Sequence, residues 1–118
     1  MGLPADSFLQ FTPDLRICRL LNGLWQVSGA HGVIDRNKAI PEMLAYHADG
    51  FTTWDLADHY GPAEDFIGMF RAQLTVQGID LGTMQAFTKW VPQPTRMTRA
   101  VVEAAVDVSR RRMQTETL

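Results

Sequence analysis

The feature that most constrains this chain is the stretch Gly50–Gly68, G-F-T-T-W-D-L-A-D-H-Y-G-P-A-E-D-F-I-G, read together with a distant lysine, Lys89. Phe51 to Trp54 has the aromatic and β-branched composition of a strand and runs into an acid, Asp55. Tyr60 follows on a connecting loop. Gly61-Pro62 then opens a helix, since proline is pre-organised for the first helical position and lacks the N–H that would go unpaired there. Glu64 and Asp65 fall in its first turn, where the helix dipole favours negative charge. Phe66, Ile67, Phe70 and Leu74 recur at helical spacing and give it one apolar face.

The same arrangement returns one unit later, where the apolar run Met84 to Trp90 carries Lys89 near its end. If the two strands are parallel neighbours joined by the intervening helix, Asp55 and Lys89 emerge on one rim with Tyr60 above them. A phenol is a poor acid near neutrality. An adjacent ammonium favours the phenolate, and a carboxylate behind the ammonium keeps it charged and oriented. The three side chains together make a general acid.

Upstream, Ile17 to Gln26 reads as a first strand and Met1–Arg16 as a separate N-terminal segment with a hairpin around Pro13. Val27–Ile34 reads as a glycine-containing loop, with His31 as a solvated loop histidine rather than a catalytic one. Asp35 is an N-cap for a helix whose buried stripe is Ile40, Met43, Leu44 and His47, ended by Asp49-Gly50. His47 has no Cys, His or Glu at metal-site spacing, so it reads as a packing residue and no metal site is expected. Thr75–Gly82 is a turn-rich connection. After Val91-Pro92-Gln93-Pro94, Thr95 or Thr98 caps a third helix with Val101, Val102, Ala105 and Val108 on one face. Arg110-Arg111-Arg112 reads as its solvated basic end.

Strand and helix alternate three times, which is the pattern of parallel β-α units with right-handed crossovers. The doubly wound dinucleotide fold is disfavoured, because no G-x-G-x-x-G turn follows the first strand. D-x-A-x-x-Y-G-x-x-E followed by F-T-K resembles the aldo/keto reductase family. Its catalytic tetrad is Asp, Tyr, Lys and His on a (β/α)₈ barrel, and three members map onto Asp55, Tyr60 and Lys89. Glu64–Gly68, E-D-F-I-G, is similar to the family's E-x-x-[aliphatic]-G, displaced by one position. Leu56 and Thr52 depart from the family pattern without touching the proton-transfer groups.

The resemblance implies an α/β fold: an incomplete (β/α)₈ TIM barrel, its first three βα units over residues 17–118 with residues 1–16 covering the closed end. A whole barrel takes roughly 250 residues, so the 118 residues are expected to stop before the fourth strand, which carries the family's histidine. It also implies NADP(H) chemistry on a small-molecule carbonyl substrate, with Gly23, Leu24 and Asp55 near the nicotinamide and Trp25, His59 and Trp90 around the substrate. Most of the family's phosphate and adenine contacts lie in later units, so tight cofactor binding by this chain alone is not expected. Two functions follow as alternatives. One is the N-terminal portion of a carbonyl reductase; the other is a truncated, inactive product acting at most as an interaction module.

Composition narrows the rest. Apolar residues make up 46% and charged residues 20% of the chain, as in an ordinary globular protein. A net charge of −2 gives no electrostatic case for nucleic acid or an anionic membrane. With one cysteine, Cys18, no apolar span of membrane length and no signal-peptide layout, a cytoplasmic location is expected. Three parallel strands leave two unpaired edges, so the isolated chain should be marginally stable and open to self-association there.

Overall fold

The computed structural model describes residues 2–29 and 32–118; His31 lies outside the described residues. The chain begins with an antiparallel hairpin of β1 (Phe8–Thr12) and β2 (Leu15–Cys18). A parallel sheet follows, β3 (Asn22–Gly23), β4 (Thr53–Asp55) and β5 (Gln85–Phe87), in the order β3-β4-β5. Helices α1 (Arg36–Ala48) and α2 (Ala63–Val76) form the crossovers between them, and α3 (Arg99–Met113) follows β5. The three-unit α/β reading is therefore the architecture found.

The continuous first strand expected over Ile17–Gln26 is not. Ile17 and Cys18 belong to the hairpin, Asn22–Gly23 alone pairs with β4, and Trp25–Ser28 is a 3₁₀ turn. Leu20 and Leu21 are exposed, so bulk that suggested a strand is instead part of the bend between two sheets. The hairpin is fastened to the N-terminal ends of the parallel strands. Cys18 N donates to Thr53 Oγ1 at 2.8 Å, and Thr53 Oγ1 donates to Gln85 Oε1 at 2.9 Å. Thr53 is fully buried, so this polar chain satisfies groups that would otherwise be costly to hide.

The core lies between the sheet and its helices. Trp54 alternates away from Thr53 and Asp55 and packs on Phe70, with ring centroids 5.3 Å apart. Leu56, Ile67, Phe70 and Leu74 are completely buried beside it, which is the α2 face the spacing predicts. Helix α1 starts where Asp35 caps it, accepting from Asn37 N at 2.9 Å, and Gly50 follows its end at φ +102°. Pro62 stands one position earlier than expected, at the N-cap of α2. Helix α3 is capped by Thr98, but its buried residues are Ser109 and Met113. Val101, Val102, Ala105 and Val108 are only half-buried, so α3 is seated by its C-terminal turns.

His47 is a packing residue. Its ring meets Phe70 edge-on at 5.8 Å, and Nε2 lies 3.0 Å from Thr83 Oγ1. That hydroxyl already donates to Asp80 O, so His47 donates from Nε2, and its buried Nδ1 is left without a partner. Burial lowers its pKa from the ordinary histidine value. The unfolded chain therefore takes up the proton first, and stability that is whole above about pH 6.5 should fall as the pH drops below it. A urea-midpoint series from pH 7.5 to 5 checks this, and His47→Gln should flatten the decline.

Candidate active site

Parallel pairing continues past the short strands and sets the rim. Leu24 N donates to Asp55 O, Leu56 N to Phe87 O and Asp58 N to Lys89 O, all at 2.8–2.9 Å. These bonds carry the register Gly23↔Asp55↔Phe87 up to the C-terminal ends of the strands. Asp55 and Lys89 thus sit on adjacent parallel segments. Lys89 Nζ donates to Asp55 Oδ1 at 2.7 Å and to Leu56 O at 2.8 Å. It also stands 5.3 Å from the centre of the Tyr60 ring, within cation–π range. The Lys89 and Asp55 side chains are 46% and 41% exposed, so the pair contributes little to stability.

Tyr60 is half-buried between two other rings. Trp25 meets it edge-on at 5.2 Å and His59 at 5.0 Å, and His59 Nδ1 is held 3.1 Å from Asp58 Oδ1. The loop reverses at Gly61, whose φ of +54° and contact with the Ser28 backbone leave no room for a Cβ. That contact presses the Tyr60 loop onto the turn bearing Trp25, which explains how residues 35 apart in sequence share one face.

The structure therefore brings together Asp55, Tyr60, Lys89, Trp25 and His59. Trp25 is 46% exposed, so it is a wall of the rim and not core. Gly23 lies beside Asp55 with open space where a Cβ would stand. Leu24 offers only backbone there, since its side chain is buried and its N–H is already taken by Asp55 O. Among the described residues, Trp90 makes no ring contact with Tyr60. It lines a cleft of about 170 Å³ with Ala105, Val106 and Ser109, under α3.

Two residues were missed as parts of this site. Glu64 is 1% exposed and accepts from Thr88 Oγ1 at 2.9 Å and from Arg112 Nη1 at 3.2 Å. Arg112 Nη1 also donates to Asp58 O at 3.4 Å. The reading of Arg110–Arg112 as a solvated basic end holds for exposure at Arg111 and Arg112 but misses the contacts: Arg112, 41% exposed, turns toward buried Glu64, while Arg110 pairs with Asp107 and Glu116. The available signal was the position of Glu64, three before Ile67 and four before Gly68 on the packed face of α2. A carboxylate on such a face needs a partner.

Among the described residues, no group of His, Cys, Asp and Glu could hold a metal ion, and no helix is long and apolar enough to cross a membrane.

The sequence matches the family model of the aldo/keto reductases over residues 19–118. This chain belongs to the aldo/keto reductase family. Solved structures agree on the fold. An aldo-keto reductase assigned in Pseudomonas aeruginosa superposes with a TM-score of 0.71 at 20% identity, covering 94% of this chain and 43% of its own. The thermostable aldo-keto reductase Tm1743, solved with the inhibitor epalrestat, gives 0.69 at 18% identity over 92% of this chain and 39% of its own. The chain thus spans about two fifths of the length of these reductases, and its three parallel strands are a partial (β/α)₈ barrel. No curated protein matches the sequence.

Proposed function

We propose that these residues are the proton-donating part of an NADP(H)-dependent carbonyl reductase, with Tyr60 as general acid. The observation that carries this reading is Lys89 Nζ, fixed by Asp55 and the Leu56 carbonyl beside the Tyr60 ring. A cation held there favours negative charge on the phenol oxygen as its proton leaves. Asp55 holds the lysine in place through the bond to Oδ1. Trp25 and His59 hold the ring edge-on and border the space a small carbonyl compound would enter.

The residues present fit one end of the cofactor. Beside Asp55, Gly23 has no side chain and open space above it, which suits the approach of a flat ring. Toward phosphates, Lys89 is already engaged by Asp55. Gly23, the Leu24 backbone and Asp55 would border the nicotinamide, whose chemistry when bound is to give hydride to the carbonyl carbon. This chain's part is the proton: it passes from Tyr60 Oη to the carbonyl oxygen, giving the alcohol and a phenolate that recovers a proton from solvent.

Among the described residues β3 and β5 are the edges of the parallel sheet, and the further strands of a whole barrel would join there. By itself the chain should not oxidise NADPH with aldehydes or ketones. Joined to the remaining five units of a related reductase, it should. Absorbance at the nicotinamide band, followed with and without a simple aldehyde, checks both halves. Turnover by the 118 residues alone would defeat the proposed division of labour.

A further inference from the structure

Building on the reading of Tyr60 and Lys89 as a catalytic pair, we infer that the buried Glu64 and the partly exposed Arg112 form a brace that positions both. Neither reaches the reacting groups. Each instead holds backbone that carries one of them.

The ammonium depends on the strand end before it. Thr88 immediately precedes Lys89 and donates its hydroxyl to Glu64 Oε2. The phenol depends on the loop after β4. Asp58, two residues before Tyr60, gives its carbonyl to Arg112 Nη1, and the same nitrogen bonds Glu64 Oε1. Between these anchors the two segments are tied directly: Asp58 N donates to Lys89 O, and Val91 N to Asp58 Oδ2 at 3.3 Å. One carboxylate therefore fixes the strand end by one oxygen and, through one guanidinium, the loop by the other.

Its placement is unfavourable for stability alone. A buried carboxylate loses hydration that an ion pair repays only in part, so an apolar pair of similar size would hold α2 and α3 together as well. What an apolar pair could not do is satisfy the Thr88 hydroxyl and the Asp58 carbonyl in one geometry. A single guanidinium nitrogen, Arg112 Nη1, carries more than one N–H and so reaches both oxygens at once. The exposed Asp55–Lys89 pair then needs no rigidity of its own, because its backbone is already set.

The test uses the isotope-labelled 118-residue chain and two local signals. One is exchange of the Asp58 amide, and the other is the ring-current shift that Tyr60 imposes on the Lys89 side-chain methylenes. Replacing both brace members, Glu64→Gln with Arg112→Met, avoids stranding a buried charge. We expect Asp58 exchange to rise about tenfold or more and the Lys89 shift to collapse, while the amides of Cys18 and Phe70 stay within about twofold. Either local signal at its wild-type value, or a rise shared by all four reporters, would overturn the inference and leave an ordinary structural pair. Should the double variant fail to fold, Thr88→Val decides. It removes one hydroxyl, and an unaltered Lys89 shift would equally overturn the brace. Neither signal depends on turnover, so a failure here is distinct from a failure of Tyr60 as the acid.

Discussion

Tyr60→Phe, made in a barrel completed with the remaining units of a related reductase, is expected to lower carbonyl reduction by about 10²–10⁴-fold, the usual contribution of a positioned general acid. The substitution removes one oxygen and keeps the ring. Its edge contacts with Trp25 and His59, and its place beside Lys89, should survive. The loss should therefore appear in the chemical step, with NADPH affinity by fluorescence titration little changed. Lys89→Met should be comparably harmful by another route. It leaves the phenol in place but removes the cation that compensates its developing charge, and it strands Asp55 on the rim. Activity within a few-fold of the parent for Tyr60→Phe would mean that the proton comes from elsewhere.

The rim was the most legible part of the sequence because its geometry follows from register. Asp55 closes one strand and Lys89 lies just beyond the next. Parallel neighbours joined by one helix bring such positions together whatever the details of the loops. The face of α2 was legible for a similar reason, since Phe66, Ile67, Phe70 and Leu74 state their burial by spacing alone, whereas the apolar spacing of α3 did not mark the residues it buries.

The first strand was not. Leu20, Leu21 and Leu24 look alike in sequence, yet only Leu24 is buried, and the difference comes from the hairpin that turns the chain before Asn22. Periodicity cannot register a bend imposed by a second sheet. Trp90 was ambiguous for a related reason, since its direction depends on α3 leaning over β5. Glu64 and Arg112 were hidden because each has a sufficient local explanation, one at a helix start and one at a helix end. Their pairing is a fact of how α3 meets α2, 48 residues apart in the chain.

That meeting makes Gly68 the position where the smallest substitution should have the largest structural effect. Two terms of opposite sign apply to Gly68→Ala. Helix propensity favours alanine by about 1 kcal/mol in an unobstructed helix interior. Against it, a Cβ at Gly68 would overlap the Arg112 carbonyl oxygen, with Gln114 Cγ close behind. The obstacle is backbone that cannot rotate away, so the cost should lie at or above the upper end of the roughly 1–3 kcal/mol typical of overpacking. Net destabilisation should win. Relief requires α3 to lift from α2, which also stretches Arg71 Nε from Gln114 O, 3.2 Å away in the native form, and Arg112 from Glu64. Urea unfolding should therefore move to lower concentration, and the Asp58 amide should lose protection together with α2, in contrast to its separate release when the Glu64–Arg112 pair alone is replaced. A variant more stable than the parent by the propensity term would show that α3 does not sit on α2 at this glycine, and with it the inward turn of Arg112 would fall.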